Sequence, residues 1–224
     1  MYRVEEKYCC TAQELFQLQR RLGAVLQADD NENTAEGYRV VSLYFDDLAD
    51  TCLRAVRDGS NRRRKYRIRI YNDSLDVIKL EIKEKQDRMV RKLSRQITES
   101  ALRDFLRGKD PADSASVDDP AFLFRLAVQT QGLRPRVIVA YERKAYLYGP
   151  GNVRITLDRN VRASRQTDRF GSRELSYDFL AGQDAVLEVK YDEFLPAFIR
   201  QLLELNTLQQ TAFSKYQLCR ERYE

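Results

Sequence analysis

The sequence predicts an α+β, β-dominated fold: an antiparallel eight-stranded β-barrel with helices packed outside, formed by residues 1–224 as one domain. Three observations lead there. Short segments of alternating apolar and polar residues recur between turns, helical periodicity interrupts them in only a few places, and several strands carry charge at every second residue. A chain of 224 residues buries one sizeable core, and barrels of this length are ordinary single domains.

Residues 3–8 alternate as a strand and run into Thr11-Ala12-Gln13-Glu14, a capping box that opens a helix with Leu15, Leu18, Leu22 and Leu26 on one side. A polar stretch at 29–36 follows. Residues 39–45 read as a strand ending in Asp46-Asp47, whose carboxylates suit the cap of a short helix through 53–56 better than a metal. Beyond the turn Asp58-Gly59-Ser60-Asn61, strands at 65–71, 77–83 and 89–97 form a meander joined at Asn72-Asp73-Ser74 and Gln86-Asp87. Thr98 caps a helix through Leu106 to Gly108, residues 110–118 are loop, and Asp119-Pro120 opens a helix carrying Phe122, Leu123, Leu126 and Val128. Strands at 137–147 and 153–158 flank a hairpin turn at 148–152, and 186–191 supply the last strand. Helices run from Pro196 through Leu205 and over 211–223.

Composition removes whole classes of chemistry. The chain has no histidine, which excludes a Ser-His-Asp triad, a Cys-His dyad and any imidazole-ligated zinc. Its net charge of +5, from 39 basic and 34 acidic residues, is too modest to single out nucleic acid. Cys9, Cys10, Cys52 and Cys219 match no metal spacing and read as reduced thiols, which places the protein in a cytoplasm. No apolar run approaches the ~18 residues of a membrane span, and the start lacks a signal peptide's apolar core. The expectation is a soluble protein with no membrane segment of its own.

The polar faces carry the functional signal. One strand places Lys65, Arg67, Arg69 and Tyr71 on one face and Tyr66, Ile68 and Ile70 on the other; the next sets Lys79, Glu81 and Lys83 against Ile78, Leu80 and Ile82. Arg3, Glu5 and Lys7 share a face, as do Arg154, Thr156 and Asp158, and Glu188, Lys190 and Asp192. Any one of these is explained as the wet side of an open sheet, its charges paired across strands. If the sheet closes and helices cover its apolar faces, the charged faces point inward and line a tunnel. Lys7, Arg67, Arg69, Lys83, Lys92, Arg143 and Arg154 outnumber Glu5, Glu81, Asp158 and Glu188, and buried cations need anions. A linear triphosphate suits the arginine forks and lysine point charges, and carboxylates facing the same phosphates imply Mg²⁺ or Mn²⁺ between them.

Eight stretches in order, RVEEKY (3–8), LYFDD (43–47), RKYRIRIY (64–71), LEIK (80–83), YER (141–143), VRITLD (153–158), VLEVKYD (186–192) and FSKY (213–216), resemble the VTC domain. This is the polyphosphate polymerase domain of vacuolar transporter chaperone complexes and their bacterial relatives, within the triphosphate tunnel metalloenzymes. The resemblance implies an eight-stranded β-tunnel and phosphoryl transfer from a nucleoside triphosphate, ATP, to inorganic polyphosphate. By matching positions it implies phosphate ligands at Lys7, Arg67, Arg69, Lys83, Lys92 and Arg143, with Tyr141 beside them, a metal at Glu188, and closure by Ser214 and Lys215. The chain departs from the family at Ala212, where a lysine is expected; Arg162 or Lys190 would then supply the cation. It also lacks the family's membrane and regulatory segments, which leaves a membrane-associated partner open.

Transfer in line needs positioning and charge stabilisation rather than a nucleophilic side chain, which suits a site without histidine. Arg67, Arg69, Lys83 and Arg143 are the expected catalytic cations, with Glu5, Glu81 and Asp158 beside Glu188 as candidate metal ligands. Two alternatives stand: a triphosphatase using Glu5 or Glu81 to orient water, and a polyphosphate-binding module without turnover. A nucleic-acid partner is not expected, because the arginines alternate into one face with few aromatic neighbours to stack on bases.

Overall fold

Alternating β-branched and aromatic residues draw most of the chain into one sheet. The computed structural model describes residues 3–29, 37–87, 89–107, 116–180, 185–204 and 208–224. In order the elements are β1 (Val4–Cys10), α1 (Ala12–Gly23), β2 (Gln27–Ala28), β3 (Tyr38–Asp46), α2 (Thr51–Arg57), β4 (Arg62–Tyr71), β5 (Ser74–Gln86), β6 (Met89–Ile97), α3 (Glu99–Leu106), α4 (Pro120–Gln131), β7 (Arg134–Tyr148), β8 (Val153–Ser164), β9 (Asp178–Phe179), β10 (Ala185–Tyr191), α5 (Ala197–Leu203), β11 (Gln209–Gln210) and α6 (Lys215–Glu221).

The sheet runs β11-β1-β10-β8-β7-β3-β4-β5-β6, with β2 on β7 and β9 on β8. Its pairings are antiparallel. The long strands are the ones expected from the sequence; β2, β9 and β11 are two-residue additions with no periodicity to reveal them. The sheet curls until β1 and β6 meet at a bridge between Arg3 and Val90.

Helices cover the apolar faces. Tyr66, Ile68 and Ile70 of β4 and Ile78, Leu80 and Ile82 of β5 are buried in one cluster with Leu102 and Phe105 of α3 and Phe124 and Ala127 of α4. The Phe124 ring meets Phe45, Tyr66 and Phe105 edge-on at 5.0, 5.4 and 5.3 Å. A second cluster joins Leu15, Leu18 and Leu22 of α1 to Ile155, Leu157, Leu187 and Val189, with Ile199 of α5. At about 1.5–3 kcal/mol per fully buried aliphatic side chain, this packing decides which face of each strand points outward. The charged faces are left to the interior.

Local chemistry fixes the ends of the elements. Thr11 accepts from the Glu14 amide while the Glu14 carboxylate accepts from the Thr11 amide, closing the expected capping box. Asn72 and Asp73 both have positive φ, 52° and 55°, the backbone of a tight primed hairpin turn. Buried Asp46 accepts from the amides of Asp47, Cys52 and Leu53 and from the Tyr216 hydroxyl, so it anchors α2 as expected.

Some boundaries differ from the sequence reading. The last helix starts at Lys215 rather than 211, because Gln209–Gln210 add to the edge of β1 and Ser214 is the cap, accepting from the Gln217 amide. β8 continues to Ser164 past a break at Asn160, whose φ is 53°, where the pairing with β7 shifts register. Residues 30–36 of the polar stretch, Gly108 at the expected end of the third helix, 110–115 of the loop and Leu205 lie outside the described residues. Gly37 has φ 99°, and a Cβ there would stand 2.2 Å from the Arg143 carbonyl oxygen. Among the described residues, no helix is long and apolar enough to cross a membrane.

Candidate active site

The inward faces of seven long strands supply one continuous field of charge, and the strand register decides which side chains meet. On β4 and β5, Arg67 stands opposite Glu81 and Lys65 opposite Lys83; on β5 and β6, Lys83 stands opposite Lys92. On the other side of the lumen, Lys7 of β1 is paired with Glu188 of β10, Glu188 with Thr156 of β8, and Asp158 with Arg143 of β7.

Three ion-pair groups result. In the first, the Lys83 Nζ reaches across the lumen to both Glu5 oxygens at 2.8 Å, Lys7 lies 3.4 Å from Glu5, and Lys190 lies 2.5 Å from Glu188 and 3.9 Å from Glu5. In the second, Glu81 receives Arg67 at 2.6 Å and Lys92 at 3.1 Å, with Arg69 at 3.9 Å. In the third, Asp158 receives both arms of Arg143 at 2.6 and 2.7 Å and Lys215 at 2.7 Å. Glu81 and Asp158 are 1% and 0% exposed, so each depends on its cations to stay ionised.

The surrounding polar groups fix the forks. Arg69 donates to Ser42 at 3.0 Å and to the Tyr141 hydroxyl at 3.1 Å, and Arg67 donates to the Tyr44 hydroxyl at 3.1 Å. Tyr44 stacks on Tyr216 at 5.0 Å, which ties the site to the Asp46 anchor. The segment entering α6 lies across inward side chains of several strands. The Phe213 carbonyl accepts from Lys7 at 3.1 Å, Ser214 accepts from Lys65 at 2.8 Å, and the Lys215 ammonium sits 4.8 Å from the Tyr141 ring centre.

Proton affinities follow from this packing. Burial and the neighbouring Glu188 push the Glu5 carboxyl up, but Lys83, Lys190 and Lys7 together bring it down to about 2. Burial likewise opposes the ionised form of Asp158, yet Arg143 and Lys215 hold it at about 2. Glu188 and Glu81 stay well below the usual carboxylate range because their cations outweigh burial. Burial lowers Lys83 to about 8 despite Glu5, and it lowers Lys190. Lys7 is raised, because Glu188 and Glu5 outweigh its burial. Burial and the cations Lys7, Lys83, Arg63 and Arg67 push Lys65 well below the ordinary lysine value.

Nearly all the residues singled out in the sequence gather here. Arg154 lies in register with Lys190, but its guanidinium is held by Asp29 at 2.6 Å and the Tyr38 hydroxyl at 3.0 Å. Arg162 turns away, toward Glu142 and the Phe179 ring, and Ala212 is exposed. The cation that meets Ser214 is Lys65. Its position on the Arg67–Arg69 face was legible, but its role was not. Ser42, Tyr44 and the Phe213 carbonyl had no signal, since β3 is buried along almost its whole length and a backbone oxygen carries no residue type.

A hard divalent cation finds suitable donors beside Glu188. Glu188 and Glu5 both lie within 4 Å of the Lys190 ammonium, at 2.5 and 3.9 Å. The adjacent Thr156 hydroxyl is buried with no hydrogen-bond partner among the described residues. Oxygen donors of this kind fit Mg²⁺ or Mn²⁺. Among the described residues, no group of three or more carboxylate or thiol side chains is arranged as a ready-made cage.

Comparison with known proteins places this geometry. The VTC domain family matches residues 2–223. A Hippeastrum protein named as an adenylyl cyclase and described as having a dominant triphosphatase activity is similar in structure, with 16% identity, a TM-score of 0.58, and 98% of this chain and 96% of that one covered. A Pyrococcus horikoshii protein aligns over 98% of this chain and 96% of its own at 15% identity and a TM-score of 0.51. A Bacillus halodurans protein named as an adenylate cyclase aligns over 84% and 79% at 12% identity, also with a TM-score of 0.51. These likenesses show the triphosphate tunnel fold. No curated protein matches the sequence.

Proposed function

The chain belongs to the VTC domain family, and on that premise we propose that it is a metal-dependent phosphotransferase. It moves a phosphoryl group from a nucleoside triphosphate, ATP, to the end of an inorganic polyphosphate chain inside the basic tunnel. The observation that carries this reading is the convergence of Lys7, Arg67, Arg69, Lys83, Lys92, Arg143, Lys190 and Lys215 on only Glu5, Glu81, Asp158 and Glu188, with Lys65 beside them on Ser214. That excess of charge calls for a polyanion.

A terminal polyphosphate oxygen forms a bond to the γ-phosphorus while the bond to the β–γ bridging oxygen breaks, and ADP leaves with the electron pair. Arg67, Arg69, Lys83 and Arg143 are the catalytic cations, neutralising the bridging and non-bridging oxygens. Glu81 and Asp158 pre-orient the Arg67 and Arg143 forks, so little reorganisation is left for the reaction itself. Lys7, Lys92, Tyr141, Lys190, Ser214 and Lys215 bind the remaining phosphates, and Arg154 joins them only by leaving Asp29. Glu188 with Glu5 would hold Mn²⁺ or Mg²⁺, with Glu81 and Asp158 as further oxygen donors, and a metal there would supply neutralisation of phosphate charge. The whole chain acts as one domain in the cytoplasm, in keeping with its free cysteines, and nucleic acid is not its partner.

A second reading, hydrolysis of inorganic triphosphate or a nucleotide, draws support from the activity described for the Hippeastrum protein and from Glu5, a lumen carboxylate able to orient water. Product analysis with ATP and Mn²⁺ separates the two. Long-chain polyphosphate supports the polymerase, orthophosphate alone supports the hydrolase, and phosphate-chain binding without turnover reduces the protein to a binding module.

A further inference from the structure

Two of the cations assigned to phosphate are already engaged. The Lys83 ammonium donates to both Glu5 oxygens at 2.8 Å, and Lys190 lies 2.5 Å from Glu188 and 3.9 Å from Glu5. Glu5 and Glu188 are the carboxylates best suited to a divalent metal. The same ion pairs therefore occupy phosphate ligands and metal ligands at once.

Lys83 crosses the seam of the sheet to make its contact. In register it stands between Lys65 of β4 and Lys92 of β6, like charges that repel it, whereas Glu5 belongs to β1, beyond β6. Glu81, its neighbour on β5, is taken by Arg67 and Lys92. The other lumen carboxylates are held in another way: Glu81 and Asp158 are gripped by the guanidinium groups of Arg67 and Arg143 and are 1% and 0% exposed. Lys83 and Lys190 are point charges on flexible stems, each side chain 25% exposed. They can turn without breaking an arginine fork or unpacking a core.

An ammonium and a divalent cation compete for one carboxylate, because both bring positive charge to the same lone pairs. Three ammonium groups, those of Lys7, Lys83 and Lys190, lie within 4 Å of Glu5, and the nearby Thr156 hydroxyl has no partner among the described residues. A metal at Glu5 and Glu188 repels Lys83 and Lys190, and their remaining counter-charge is the anion in the lumen.

We propose that Lys83 and Lys190 are phosphate ligands released by metal: they neutralise Glu5 and Glu188 until a divalent cation takes those carboxylates, and then turn to the phosphate chain. This rests on the phosphate-tunnel reading and adds to it an order of binding, metal before phosphate. The coupling is reciprocal, so phosphate also tightens the hold on metal. Direct contact between metal and phosphate couples the two ligands as well, and Lys83 separates the cases.

Two binding measurements on the full chain test this. Without phosphate, Mn²⁺ followed by electron paramagnetic resonance should bind K83M at least fivefold more tightly than wild type, while K92M, which loses an ammonium paired with Glu81, stays within twofold. Equal gains in both variants reduce Lys83 to general charge and overturn the release. With tripolyphosphate, K83M should lose at least tenfold in affinity at saturating Mn²⁺ and less than threefold once metal is chelated away; equal losses in the two conditions overturn the release. E5Q guards against misfolding of K83M. Metal-free tripolyphosphate should bind E5Q at least fivefold more tightly than wild type, and an unchanged or weaker affinity overturns the release. A wild-type protein that binds tripolyphosphate but no Mn²⁺ overturns the metal assignment and the release together, whereas one that binds no tripolyphosphate in either condition overturns the phosphate-tunnel reading itself.

Discussion

Arg143 grips Asp158 with two parallel hydrogen bonds of 2.6 and 2.7 Å, and neither side chain has appreciable contact with water. Lys215 closes on the same carboxylate at 2.7 Å, so one anion on β8 holds a fork from β7 and an ammonium from α6. Asp158→Asn leaves two cations uncompensated and is expected to cost about 3–5 kcal/mol in a urea titration. Replacing Arg143, Asp158 and Lys215 together by apolar residues of similar volume should cost markedly less. If the single and triple changes are equally damaging, this ion-pair group is not the origin of the loss.

Arg67 is expected to matter more for rate than for affinity, since its fork is fixed by Glu81 and Tyr44 and aimed into the lumen. Arg67→Gln should lower kcat with ATP and Mn²⁺ by about 10²–10³, the usual cost of removing one pre-oriented charge stabiliser. A rise in KM with kcat untouched would assign Arg67 to ground-state binding instead.

Lys83 couples binding to pH. Burial lowers it from 10.5 to about 8, so it loses its charge as pH rises through 8, and tripolyphosphate affinity should fall about tenfold between pH 7 and 9.5. For the protein alone the sign is opposite: below about 8 the folded state bears the cost of the buried ammonium, and that cost fades between 8 and 10.5. Isothermal titration across this range on wild type and Lys83→Arg checks the assignment, because an arginine stays charged and should flatten the profile.

Acid should unfold the protein through its lumen. Glu5 and Asp158 drop from 4.5 and 3.8 to about 2 on folding, so their contribution is complete above pH 4.5 and is lost as pH falls through 2. At ~1.4 kcal/mol per pKa unit, each contributes a few kcal/mol. Circular dichroism between pH 6 and 2 should show cooperative loss of structure in this window, shifted to higher pH in Glu5→Gln only if the remaining carboxylates bear more of the load.

Gly37 ties backbone to site. With φ 99° and the Arg143 carbonyl 2.2 Å from any added Cβ, Gly37→Ala must move β7 where it presents Arg143. Stability should fall by about 1–3 kcal/mol, and activity should fall with it even under conditions where the variant is fully folded. Full activity in the folded variant would show that β7 absorbs the change without moving the guanidinium.

Much of the fold was written in period two. The alternation of Tyr66, Ile68 and Ile70 with Arg67 and Arg69 marks both a strand and its two destinations, and α3 and α4 cover the apolar side as that pattern requires. What alternation lacks is partner identity. Nothing local tells that Lys83 reaches Glu5 across the lumen or that Arg154 is held by Asp29, because those meetings depend on curvature and register over the whole sheet. The same holds for Phe213, which contributes an oxygen that every residue has.

The first strand waits for the last. Lys7 finds the Phe213 carbonyl 206 residues away, and its neighbour in the sheet is β10. On the ribosome β1 therefore emerges with an unpaired edge and keeps it until nearly all the chain has been synthesised. Contacts so distant in sequence make folding slow, and bare edges invite association with other chains. Chaperone supply during synthesis therefore bears on yield, and nascent chains halted before β10 have no tunnel to fill.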